Sequence, residues 1–182
     1  MSKAKHRIVL LIGPSGSGKT TIANYLHDTY GWNAVSSYTT RPPRYDGEEG
    51  HIFVTDEEFD KLTNIIAYTE FDGHRYCATA DQIDQRDLYI VDVDGVVSMQ
   101  ELYHGESELL PVYLDVSVTT CLERMSHRGD ALWQITNRTK NDTEAFRDAK
   151  RIVNSLFDSV LVIGESNTVA EASEMIYRWA TI

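Results

Sequence analysis

Positive charge is scarce in this chain. Its 182 residues carry 17 Lys and Arg against 28 Asp and Glu, for a formal net charge of −11. A surface that holds nucleic acid or an anionic bilayer needs the opposite balance, so neither is expected as a partner. A small phosphate ligand is not excluded, because it needs only a local cluster of Arg, Lys and backbone N–H groups. Cysteine is nearly absent. Cys77 and Cys121 stand at no metal-binding or redox spacing and are expected to be ordinary reduced thiols. No apolar run is long enough to span a membrane, and the short one at 8–12 falls below a signal-peptide core. These absences lead to the expectation of a cytoplasmic protein. The length suits one domain, 1–182, with small inserted lobes.

The densest information lies at Gly13-Pro14-Ser15-Gly16-Ser17-Gly18-Lys19-Thr20, which reads G-x-x-x-x-G-K-T. It follows the apolar run 8–12 and precedes Thr21-Ile22-Ala23-Asn24-Tyr25-Leu26, which can start a helix. Strand, glycine-rich loop and helix together define a phosphate-binding P-loop. Glycines let several N–H groups converge on one anion, and the helix N-terminus adds its positive dipole end. Lys19 would reach the β- and γ-phosphates of ATP, and the Thr20 hydroxyl would ligate Mg2+. Gly13, Ser15, Gly16, Ser17, Gly18, Lys19, Thr20 and Thr21 are therefore the candidate ATP-binding residues.

Four apolar runs read as buried parallel strands, at 8–12, 88–93, 111–114 and 160–163, with 33–37 a weaker fifth. Helices are expected over 117–125, 138–157 and 168–179, the first capped by Ser117. Strands alternating with helices predict an α/β fold with a parallel sheet flanked by helices. Two regions break the rhythm. Residues 38–80 hold Pro42, Pro43, several Gly and the capping-box pattern Thr55-Asp56-Glu57-Glu58, and read as a small inserted lobe. Residues 127–137 are polar and read as a mobile lid. The core is then 1–37 and 81–182.

Further charged residues stand where phosphoryl transfer would need them. Arg41 and Arg44 lie three apart in a Pro-stiffened loop, suited to gripping phosphate or else simply solvated. Asp92 and Asp94 end a predicted strand, on one face, where ligands bind in open α/β sheets. Arg124 and Arg128 share a helical face, with Arg138 beyond the polar loop. The alternative for these is solvated charge paired with Glu123 or Glu144.

Together these residues resemble the guanylate kinase family of nucleoside monophosphate kinases. The resemblance runs from Arg7 to about Phe157. It is carried by the P-loop, by Ser36-Ser37-Tyr38-Thr39-Thr40-Arg41-Pro42-Pro43-Arg44, and by Gly47-Glu48 to Phe53-Val54. Phe71-Asp72-Gly73 with Tyr76, Asp92-Val93-Asp94-Gly95, Arg124 with Arg128-Gly129, and Ile135 to Arg138 complete it. It implies that Ser37, Arg41, Arg44, Glu48, His51, Tyr76 and Asp94 line the site of a small phosphorylated acceptor, with GMP or dGMP the first candidates. It implies that Lys19, Arg124, Arg128 and Arg138 act on the transferring phosphate, and that Thr20 and Asp92 serve Mg2+.

The departures fall at base recognition. Ala67 stands where the family places a glutamate that reads guanine, and Ala78 where it places a Ser or Thr. Glu70 and Thr79 would point to the opposite faces of their strands. His51 stands where the family has a phosphate-binding tyrosine. Ribose 1,5-bisphosphate phosphokinase, which is similar to guanylate kinases, has no base to read. A kinase of another or modified deoxynucleotide is also open. Guanylate-kinase-like binding modules that have lost catalysis typically have degraded P-loops, whereas this one is whole.

Overall fold

The computed structural model describes residues 5–182. The first strand, β1 (Arg7–Ile12), is uncharged after Arg7, and every residue from Ile8 to Ile12 is fully buried. The P-loop turns it into α1 (Lys19–Tyr30), which ends at Gly31 in the left-handed conformation. Residues 37–79 then build a separate sheet from β2 (Ser37–Thr39), β3 (His51–Phe53), β4 (Ile65–Phe71) and β5 (His74–Thr79). The one-turn α2 (Asp56–Phe59) precedes β4. Thr55 and Glu58 cap it reciprocally, as their spacing predicts.

The chain returns through α3 (Ala80–Ile83), β6 (Leu88–Ile90), α4 (Val93–Leu102) and β7 (Glu108–Asp115). It ends with α5 (Val118–His127), α6 (Leu132–Ala145), α7 (Ala149–Leu156), β8 (Leu161–Gly164) and α8 (Val169–Thr181). The main sheet is all parallel, in the order β6-β1-β7-β8. The second runs β3-β2-β5-β4 and mixes one parallel with two antiparallel pairings.

β1 divides the core by residue parity. Ile8, Leu10 and Ile12 pack with Val96 and Met99 of α4 and Val153 of α7 on one face. Val9 and Leu11 pack with Leu26 of α1 and Ile176 of α8 on the other. A strand covered on both faces has no polar side, which is why its sequence is a continuous apolar run. Tyr30 stacks on Tyr177 at 3.9 Å between ring centres, joining α1 to α8. Helix α4 ties the two sheets together: Ser98 donates to the Ile66 carbonyl and accepts from the Tyr68 amide. That contact covers the edge of β4.

Four expectations change. The run 88–93 is a strand only to Ile90, because Asp92 leaves the strand and caps α4. Asp92 and Asp94 therefore do not share a strand face. Residues 33–37 form no strand of the main sheet, only a bridge from Ala34 to Leu88. The helix expected over 138–157 is two helices, broken at 146–148. The polar loop expected over 127–137 is reduced to 128–131, since α6 starts at Leu132. Among the described residues, no helix is long and apolar enough to cross a membrane. Cys77 and Cys121 are free and buried, and burial pushes both thiols up, Cys77 to about 12.

Candidate functional site

The P-loop needs its glycines. Gly16 and Gly18 have φ of 78° and 106°, where other residues are strained. A Cβ on Gly16 would also come within 2.6 Å of the Cys121 carbonyl. Gly18 caps α1 without a side chain, and the first turn holds no acid. The first-turn amides of α1 and its dipole are thus left for an outside anion. Thr20 and Thr21 are exposed in that turn. Ser17 is 4 % exposed, and its hydroxyl has no partner.

Lys19 folds back across the loop. Its Nζ donates to the carbonyls of Gly13 at 2.5 Å and Pro14 at 2.8 Å. Burial pulls its pKa down to about 8, opposed chiefly by the Asp142 carboxylate. Asp142, on α6, accepts from the Ser15 amide at 2.8 Å. Arg124 donates to the Ser17 carbonyl at 2.9 Å and so holds the loop rather than pairing with an acid. Beside it a cavity of about 220 Å³ runs between α1 and the β8–α8 turn, lined by Gly18, Thr21, Arg124, Glu165 and Asn167.

A second cavity of about 220 Å³ lies between the second sheet and the start of α4. Register builds one wall. Ser37 pairs opposite His51 across β2 and β3, and the hydroxyl and Nδ1 share a hydrogen bond of 2.9 Å. The His51 ring meets Tyr76 edge-on at 5.8 Å. Burial, reinforced by Arg41, pulls the His51 pKa below its ordinary value and favours the neutral ring. Thr69 faces Tyr76 across β4 and β5, and both line the cavity with Tyr89. Ala67 lines it too, whereas its cross-strand partner Ala78 is completely buried behind. Glu70 lies on the other face, where it accepts from the Tyr68 hydroxyl.

Beside this wall Glu48 gathers the loop arginines. Arg41 binds it through two nitrogens at 2.7 and 3.1 Å. Arg44 adds its amide at 2.6 Å and a longer guanidinium contact at 3.4 Å. The Arg41 side chain bonds hold Glu48 far below its ordinary value, at about 2. The Nε of Arg41 is buried without a partner. An unpaired charged donor at that depth is costly unless an anion completes it.

The third group belongs to the connection between α5 and α6. Arg128 grips Asp130 at 2.5 and 2.9 Å, and Arg138 approaches the same carboxylate at 3.5 Å. These bonds lower the Asp130 pKa, and Arg44 is near enough to contribute. Arg124 and Arg128 therefore reach different targets despite their shared face. At the cavity floor, Asp92 accepts from the Gly95 amide at 2.7 Å. Burial raises its pKa, while the hydrogen bonds from Gly95 and Thr69 oppose that rise. Asp94 is exposed in the first turn of α4.

Asp142, Asp130, Thr69 and Tyr89 were not singled out by sequence. Asp142 gives no local signal, being one acid in a polar helix. Thr69 becomes visible as a cavity residue only through the pairing of β4 with β5, and Tyr89 only through the place of β6 beside β1.

Residues 5–177 match the family model for guanylate kinase. Among curated proteins, the chain is 36 % identical over 102 residues to a guanylate kinase of Streptomyces kasugaensis, covering 50 % of this chain and 49 % of that one. It is 33 % identical over 102 residues to a guanylate kinase of Streptomyces coelicolor, covering 50 % and 51 %. These matches span about half the length of the relatives. A ribose 1,5-bisphosphate phosphokinase of Pantoea vagans is 26 % identical over 173 residues, covering 91 % of this chain and 92 % of that one. The solved guanylate kinase of Anaplasma phagocytophilum superposes with a TM-score of 0.67 at 21 % identity, covering 99 % of this chain and 87 % of that one. This last likeness establishes the P-loop NTPase-type fold.

Proposed function

The chain belongs to the guanylate kinase family, and from that membership we propose that it transfers the terminal phosphoryl group of ATP to a phosphorylated small molecule. A nucleoside monophosphate is the first candidate acceptor, with GMP and dGMP tried first. The observation that carries this reading is the buried, unpartnered Nε of half-buried Arg41, close to His51 and Tyr76, which with Ser37 line a cavity separate from the P-loop. Two anion sites at one cleft fit a donor and an acceptor.

The acceptor phosphate is itself the nucleophile, so no side chain need be one. The protein's task is to bring two polyanions together and exclude water. Arg41 and Arg44 would hold the acceptor phosphate, joined by Ser37, Tyr76 and neutral His51. Glu48 fixes the arginines in place. Lys19 would exchange the Gly13 and Pro14 carbonyls for donor phosphate oxygens. Arg124 secures the loop, while Arg128 and Arg138 would turn from Asp130 to the transferring group. The cavity beside Arg124 and Asn167 would take the donor's base. Asp94, exposed beyond Asp92, would face the acceptor.

Mg2+ fits the donor set present. The Thr20 hydroxyl and the second oxygen of Asp92 are hard ligands of the kind that complete an ion held mainly by water and phosphate. When bound, the ion would neutralise charge between the β- and γ-phosphates.

A second acceptor, ribose 1,5-bisphosphate, is favoured by a specific observation. The cavity is lined by the hydroxyl-bearing Ser37, Thr69, Tyr76 and Tyr89, whereas Ala67 on its wall and Ala78 behind it carry no group to read a guanine edge. The whole-length match to a ribose 1,5-bisphosphate phosphokinase supports the same reading. Incubation with ATP, Mg2+ and each acceptor, followed by mass spectrometry, tests the proposal. One added phosphate on an acceptor, lost in Lys19→Met, is expected. ADP formation indifferent to every acceptor would refute it.

A further inference from the structure

Ser15 and Asp142 are 127 positions apart, yet the Ser15 amide of the P-loop donates to the Asp142 carboxylate at 2.8 Å. The P-loop is built to present amides to an anion, and α1 brings no acid of its own to its first turn. Here a side-chain anion from α6 already holds one of those amides. The same carboxylate is the leading charge opposing the loss of the Lys19 proton. Lys19 meanwhile spends its own donors on Gly13 and Pro14. A carboxylate and a phosphate oxygen cannot share one amide at short range without strong repulsion.

We propose that Asp142 is a resident anion of the donor site: it occupies the Ser15 amide in the absence of nucleotide, and the donor's terminal phosphate must displace it. The inference rests on the donor-site reading above. Asp142 follows Arg138 by four positions on α6, so one helix carries both the group that leaves the P-loop and an arginine held by Asp130. Donor binding thus acts directly on the helix that bears Arg138. The contact also sets a threshold. Weak anions would leave Asp142 in place, and only a ligand with enough charge at that point would open the site.

Calorimetric titration of the full chain with ATP in the absence of acceptor tests this, using the parent protein, Asp142→Ala and Asp142→Asn. Asparagine still accepts from Ser15 through its amide oxygen but carries no charge, so it preserves the helix contact. Tripolyphosphate and adenosine serve as separate probes. Asp142→Ala should bind ATP and tripolyphosphate about tenfold more tightly, the size of one charge-assisted hydrogen bond, and Asp142→Asn by a smaller factor. Adenosine affinity should not change. Equal or weaker ATP binding by Asp142→Asn with an unchanged melting temperature overturns the proposal, even if Asp142→Ala fails to fold. If the parent binds no ATP and Lys19→Met changes nothing, the donor-site reading falls and this inference with it. If the parent binds ATP through Lys19 and Asp142→Asn binds it equally, only the inference falls.

Discussion

Ala67 and Ala78 stand directly opposite each other on β4 and β5, 2 % and 0 % exposed, with no polar atom beyond the backbone between them. Ala67 is at the cavity wall, and a Cβ built on Gly95 would lie 3.9 Å from its methyl. The pair cannot accept from or donate to a base edge. A site that lacks such partners discriminates weakly.

Restoring Ala67→Glu with Ala78→Ser should therefore raise kcat/KM for GMP relative to dTMP by at least about tenfold, the value of one recovered polar contact. The new carboxylate enters a buried wall near Asp92, so the melting temperature should fall. Steady-state kinetics on both acceptors, with a thermal melt, checks the two halves together.

Arg41→Ala should raise KM for the acceptor far more than for ATP. It should also destabilise, because Glu48, whose side chain is 5 % exposed, loses its main partner. Breaking a buried pair in this way costs about 3–5 kcal/mol. Arg44→Ala should show the same KM pattern with little loss of stability, since its side chain is 53 % exposed. Initial rates with each substrate varied, and urea unfolding, separate these outcomes. A KM change confined to ATP would reverse the assignment of the two cavities.

Glu48 sets an acid limit on stability. Its folded pKa of about 2 lies below the ordinary 4.5. The pair's contribution is complete above the unfolded value and is lost as pH falls from there through the folded value. Urea unfolding at pH 6, 4 and 3 should show Glu48→Gln less stable than the parent at pH 6, with the gap closing on acidification. A gap independent of pH would mean that Glu48 acts by shape, not charge.

Lys19 gives the opposite edge. Its pKa near 8 lies below the ordinary 10.5 because it is buried. ATP should bind the protonated form, so affinity should hold near pH 7 and fall above about pH 8, with proton uptake on binding. Burial of this charge costs stability at neutral pH, a cost that fades as pH rises toward 10.5. Lys19→Met should therefore melt at or above the parent's temperature while losing at least about two orders of magnitude in turnover. Calorimetry in buffers of different ionisation enthalpy reads the proton directly.

Arg128→Ala and Arg138→Ala should lower kcat more than they weaken binding of either substrate. Both now spend their charge on Asp130 and would meet phosphate only after leaving it. A raised KM with unchanged kcat would make them ground-state ligands.

Much of this was legible from sequence because it is local. The P-loop, the Thr55–Glu58 capping box and the Ser117 cap are each decided within a few residues. The errors came where local pattern is ambiguous. Val91 and Val93 continue the apolar run of β6, but Asp92 takes the Gly95 amide and starts a helix instead. Ala145, Phe146, Ala149 and Ile152 keep helical spacing through the break between α6 and α7, so periodicity cannot show where one helix stops. The start of α6 was missed although Leu132, Trp133 and Ile135 are apolar, because three such residues in so short a window set no helical period by themselves. Asp142 could not have been found at all, since its partner is 127 positions away.

The most direct test is kcat/KM for phosphoryl transfer from ATP with Mg2+ to GMP, dGMP, AMP, dTMP, dUMP and ribose 1,5-bisphosphate on the unmodified protein. Acceptor-dependent transfer is predicted, with GMP exceeding the next acceptor by less than about a thousandfold because the alanine pair cannot read the base. No acceptor-dependent transfer at all, or a GMP preference beyond that factor, would contradict the account.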